Sequence, residues 1–179
     1  TSEEFAQLTE KANQMGAITK FTASESAEAF KYMAQAGWDA KEMMDGIEGL
    51  MALAAASGED LGTTSDIVTD ALTAFGMAAK DSGRFADVMA MAASATNTDV
   101  AKMGETFKYV APVAGSLGYS IEDTAVAIGL MANNGIKASQ AGTSLRSLLT
   151  NLTHPVGQAA DAIEELGISV TNADGSVKP

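Results

Sequence analysis

Apolar residues recur along this chain in steps of three and four, and glycines or small polar residues break the recurrence every 12 to 18 positions. That is the signature of short amphipathic helices with capped ends. Ser2 is expected to cap a first helix, with Phe5, Leu8 and Ala12 on one face and Gly16 at its end. Thr22 and Glu25 form a capping box for a second helix that stops at Gly37. Asp39 and Glu42 repeat the box for a third, whose stripe is Met43, Ile47, Leu50 and Leu53. A fourth runs from about Asp60 to Phe75. Asp81 or Ser82 opens a fifth, bearing Phe85, Val88, Met89 and Ala92. Thr98 opens a sixth with Val100, Met103, Phe107, Val110 and Ala114 in line. Pro112 lies inside it and predicts a kink, because it lacks the N–H that Lys108 would receive. Ser120 and Asp123 open a seventh. An eighth spans about Ser139 to Leu152, and a short ninth stops at Leu166-Gly167.

Only the last residues change pattern. Ile168-Ser169-Val170-Thr171 and Ser176-Val177 flank Asn172-Ala173-Asp174-Gly175, which predicts a hairpin. The expected fold is therefore all-α: about nine short helices in helical hairpins over residues 1–167, with a small C-terminal β-hairpin over 168–179. One internal resemblance adds to this. Glu28-Ala29-Phe30-Lys31-Tyr32 matches Glu105-Thr106-Phe107-Lys108-Tyr109 at an offset of 77, and Gly49-Leu50-Met51-Ala52 matches Gly129-Leu130-Met131-Ala132 at 80. Two related hairpins, 22–56 and 98–135, are expected, with Phe30 over Phe107 and Tyr32 over Tyr109. Gly46, Gly49, Gly104, Gly129 and Gly142 fall inside predicted helices. Each costs about 1 kcal/mol against Ala, so close approach of helix backbones is the expected compensation.

Composition narrows the function. Net charge is −12, and residues 1–90 hold 15 acids against 6 bases. Such a surface argues against direct nucleic-acid binding, which needs clustered Lys and Arg. There is no cysteine, hence no disulfide and no thiolate metal site. The acidic start lacks a signal-peptide pattern, and no apolar run reaches the ~20 residues that span a bilayer. The missing initiator Met and the abrupt Lys178-Pro179 end lead us to expect a piece of a longer protein. His154 stands alone before a proline and reads as a turn residue. Glu42 and Glu122 read as first-turn helix carboxylates. No phosphate loop, metal motif or paired-carboxylate cleft occurs, so no catalytic residue, cofactor or metal is assigned. The methionines read mostly as core, with a groove for a partner helix as the alternative.

Residues 93–152 carry a more specific signal. Ala95-Thr96-Asn97-Thr98 and Met103-Gly104-Glu105-Thr106-Phe107-Lys108-Tyr109-Val110-Ala111-Pro112-Val113-Ala114 resemble the core region of phage tail tape measure proteins. So do Ala132-Asn133-Asn134-Gly135-Ile136-Lys137 and Ser139-Gln140-Ala141-Gly142-Thr143-Ser144-Leu145-Arg146 further on. The resemblance implies a structural, non-enzymatic virion protein of the phage tail, present in the host cytoplasm during assembly. It implies action in tail assembly and length determination, with tail tube protein and tail assembly chaperones as partners. A part in genome delivery is also implied, and membrane contact is left open. The alternatives are a membrane-active helical module aiding DNA ejection and a cell-wall hydrolase module. The family has no common catalytic residues to carry over.

The punctuation bears on which of these tasks the segment performs. As one helix, 179 residues would reach ~270 Å, whereas a folded chain of this length has a radius of gyration of ~16 Å. The segment is thus expected to anchor or nucleate rather than to be the measuring rod. Its apolar surfaces are broad for so few large side chains. Weak self-association is expected through faces bearing Met89, Met91, Leu130 and Met131, with burial of all four as the competing expectation.

Overall fold

In the computed structural model, which describes residues 1–170 and residue 172, the described chain forms nine α-helices, of which α1 to α8 pack on one another. They are α1 (Ser2–Ile18), α2 (Ala23–Gln35), α3 (Ala40–Ser57), α4 (Leu61–Ala74), α5 (Ser82–Ala95), α6 (Val100–Ser116), α7 (Ile121–Asn133), α8 (Ala138–Thr153) and α9 (Gln158–Glu165). One 3₁₀ turn, Ala79–Asp81, leads into α5. The helix starts follow local chemistry. Thr22 and Glu25 close a reciprocal box on α2, and Asp39 and Glu42 do the same on α3. Asp60 and Ser120 cap α4 and α7. Stops at Gly37, Gly58 and Gly118 have positive φ. At Gly37 and Gly118 the chain closes with N–H bonds from Trp38 to the Met33 carbonyl (3.1 Å) and from Tyr119 to that of Ala114 (3.0 Å).

Four expectations are corrected. Thr1, not Ser2, caps α1, in a box with Glu4. Gly16 does not end α1, which runs on to Ile18. Its missing side chain serves the α1–α2 crossing instead: a Cβ there would lie 2.5 Å from the Ala23 nitrogen. Asp99, not Thr98, caps α6, because its carboxylate reaches the Lys102 N–H at 2.8 Å. Finally, no strand occurs among the described residues, so the fold is all-helical without the expected C-terminal β-hairpin. The Ile168 N–H is spent on the Ile163 carbonyl at the end of α9 (3.1 Å). Ile168 is half exposed, with no sheet to pack on, and an isolated two-stranded ribbon is marginal in water. Thr171 and residues 173–179, the rest of that expected hairpin, lie outside the described residues.

The core has two lobes. Ala12, Met15, Phe30, Met33, Ile47 and Leu50 fill the first, between α1, α2 and α3. Leu53, Val68, Phe85, Met89, Met103 and Phe107 lead the second, which joins α3 through α8. Trp38 packs against both. The helices approach closely where interior glycines lie. A Cβ on Gly49 would sit 2.3 Å from the Gly83 nitrogen, and one on Gly142 would sit 2.7 Å from Tyr109 Cβ, where α8 crosses α6. α6 is helical through Pro112. Lys108 and Pro112 are both on its exposed side, where water can reach the carbonyl left without a donor.

A candidate interaction face between α5 and α7

Phe30, Phe107 and Met89 are buried and serve packing. Phe107 is held edge-on by Phe75 and Phe85, with ring centroids 6.1 and 5.7 Å away. Tyr32 is half buried, and a Cβ on Gly62 of α4 would come 3.0 Å from its ring. Tyr109 is partly exposed over Gly142 of α8. The two tyrosines thus each lie on a glycine of the helix two places further along the chain. Pro112 is exposed and, with Phe107, Asp70 and Lys108, borders a cavity of about 510 Å³ between α4 and α6. Met131 is half buried against the second lobe. Met91 and Leu130 are different: they are 72% and 61% exposed.

Those two side chains meet on one groove. α5 and α7 lie side by side, and Gly129 admits the end of α5, since a Cβ there would lie 2.7 Å from Thr96 Cγ2. The Asn97 N–H donates to Asn133 Oδ1 at 2.8 Å and ties this end. At the other end Arg84 donates two hydrogen bonds to Glu122, at 2.7 and 2.8 Å. That bidentate bond holds the Glu122 carboxyl below its ordinary range and raises the Arg84 guanidinium further. Between the two ties is an almost wholly apolar groove of about 330 Å³ lined by Val88, Met91, Ala95, Val126 and Leu130. Val126, 62% exposed, completes it. It was not singled out by sequence, although Glu122, Val126 and Leu130 form an i, i+4, i+8 row whose apolar members face water.

Self-association was expected through four residues. The structure joins Met91 and Leu130 on this groove and takes Met89 into the core, because positions 89 and 91 fall on nearly opposite sides of one helix. As for chemistry, the described residues include no group of three or more His, Asp or Glu placed to hold a metal ion. His154 is exposed beside the Thr153 hydroxyl, 3.1 Å away. Among the described residues no helix is long and apolar enough to cross a membrane.

Comparison with known proteins gives this arrangement a context. The model of the family described as phage-related minor tail protein matches residues 9–179. The chain is 43% identical to a tape measure protein of Pneumococcus phage Dp-1 over 179 residues, all of this chain and 16% of that relative. It is 31% identical to a probable tape measure protein of Escherichia phage P2 over 178 residues, 99% of this chain and 22% of that relative. The chain thus spans less than a quarter of the length of either relative. No solved structure matches it.

Proposed function

The chain belongs to the family of phage-related minor tail proteins, and from that footing we propose that it is a structural, non-enzymatic segment of a tail tape measure protein. The observation that carries this reading is similarity along the whole chain to two tape measure proteins. Within such a protein the segment acts in tail assembly as a folded station, not as the ruler. No described helix exceeds 18 residues, and α1 to α8 fold back on one another. An 18-residue helix covers only ~27 Å. The tail tube protein or an assembly chaperone is the partner this role calls for, and the apolar groove at Met91 and Val126 is the surface offered to it. A part in genome delivery belongs to the same reading.

The test is an in-frame deletion of this segment from the full-length protein, with tails imaged by electron microscopy. A folded station predicts loss or misassembly of tails. Any tails that do form should not be shortened by the ~270 Å that an extended 179-residue helix would contribute. Intact tails shorter by that length would make the segment part of the ruler and sink the reading.

A further inference from the structure

The helices of residues 78–153 follow the order of those in residues 1–74, and several of their ends match, although α7 is five residues shorter than α3. The Glu4 carboxylate turns back to the amino group of Thr1, and that of Asp81 accepts the Ala78 N–H at 3.1 Å. α1 ends on Thr19 and α5 on Thr96, both extended, and each hydroxyl donates to the carbonyl four residues earlier at 2.7 Å. Thr22 caps α2 and Asp99 caps α6. All these pairs stand 77 apart. α6 is then four residues longer than α2, 17 against 13, or about one helical turn. The caps of the following helices, Asp39 and Ser120, are accordingly 81 apart.

The second unit is led by α5, which seats on the outer face of α3. Gly49 makes room there, with the backbone of Ser82 and Gly83 in its place. The buried residues of α5 are Ser82, Phe85, Ala86 and Met89. α9 stands in the same relation to the second unit. Four residues, 154–157, separate it from α8, as 75–78 separate α4 from the turn before α5. Its apolar stripe is Ala159, Ala162, Ile163 and Leu166, each of them 77 beyond one of the four buried residues of α5. Yet no residue of α9 is buried. The receiving position is open too: counted from the caps, the counterpart of Gly49 is Leu130, 61% exposed.

We propose that α9 docks on the face of α7 that corresponds to the α5 seat on α3, as the leading helix of a third unit. It lies further from the α7 axis than α5 does from α3, because Leu130 fills the space that Gly49 leaves. The receiving helix carries Leu130 where α3 has Gly49, and the incoming one offers the small residues Ala159 and Ala160 where α5 has Ser82 and Gly83. Asp161, Glu164 and Glu165 lie on the opposite side of α9 and stay in water. Met91 and Val126 border the crevice that remains between α5 and the docked helix.

The absence of cysteine makes the test clean. Leu130→Cys with Ala159→Cys places thiols at the positions that match Gly49 and Ser82, which meet in the first unit, and a disulfide closes only where the two Cα atoms come within about 7 Å. Both sites are exposed, so folding is not at stake. Ile18→Cys with Ala159→Cys is the control. The expected result is an intramolecular disulfide that dilution does not weaken. It should form about 100-fold more readily than a crosslink between chains at micromolar protein, because a short linker gives millimolar effective concentration. A yield no higher than that of the control pair overturns the proposal. So does a crosslink that appears only in covalent dimers, which would give this seat to a second copy.

Discussion

At the scale of single residues, glycine is where size matters most. Gly49 and Gly83 face each other across α3 and α5 with opposite tolerances. A Cβ on Gly49 meets backbone atoms of Ser82 and Gly83 at 2.3 to 2.4 Å, and backbone cannot turn aside as a side chain can. A Cβ on Gly83 meets nothing within 4 Å, at a φ that any residue adopts. Gly49→Ala should therefore destabilise the fold by about 1–3 kcal/mol through overpacking. Gly83→Ala should stabilise it by about 0.4–1 kcal/mol by reducing the freedom of the unfolded chain. Urea midpoints of the two variants check both signs; a stabilised Gly49→Ala would contradict the close approach.

At the scale of elements, the caps decide where each helix begins. Asp60 is the plainest case, since its carboxylate accepts from the Thr63 N–H at 2.9 Å and from the Thr63 hydroxyl at 2.7 Å. Those bonds, the backbone one foremost, hold its carboxyl below the ordinary range. A lowered folded value contributes stability above the unfolded carboxylate pKa, about 3.9, and loses it as pH falls through the folded value. Asp60→Ala should thus cost about 1 kcal/mol near neutral pH. The gap from the parent protein should narrow once both are unfolded in acid below that range. A gap that stays constant with pH would mean the cap works without its charge.

The cap pattern also shows what a sequence match can hide. The Gly-Leu-Met-Ala pair at residues 49 and 129 is 80 apart, whereas the caps of the same two helices are 81 apart. One residue turns a helix by ~100°, so the matched letters face different ways. Leu50 is fully enclosed and Leu130 is bare. Ile47 and Ile128, which are in step with the caps, are both buried.

At the scale of the whole molecule, charge sets what the segment avoids. With a net charge of −12, it should not be retained on a duplex DNA column at low salt, because its acids outnumber the bases that would displace counterions. Salt-sensitive retention would contradict this and would point to a basic patch formed by assembly. The exposed apolar side chains are a separate property of the surface. Met91, Val126 and Leu130 sit together on one groove, and it is this concentration rather than total hydrophobicity on which the proposed contact rests.

Helix number among the described residues and most helix ends were legible in the sequence alone, because capping boxes, left-handed glycines and apolar steps act within four or five residues. The alternation at residues 168–171 suggested a hairpin that the described residues do not form. The inner glycines were legible as sites of close approach for the same reason: a costly residue inside a helix needs a neighbour to justify it. Only the tertiary structure decided which helix each glycine admits and that Gly16 serves a crossing, not an end. It also decided that Met89 is core while Met91 faces water, and that the row of Glu122, Val126 and Leu130 borders an open groove. Those outcomes depend on which helices lie beside one another. A stripe of apolar residues states that a face is to be covered; the packing of distant segments determines whether anything covers it.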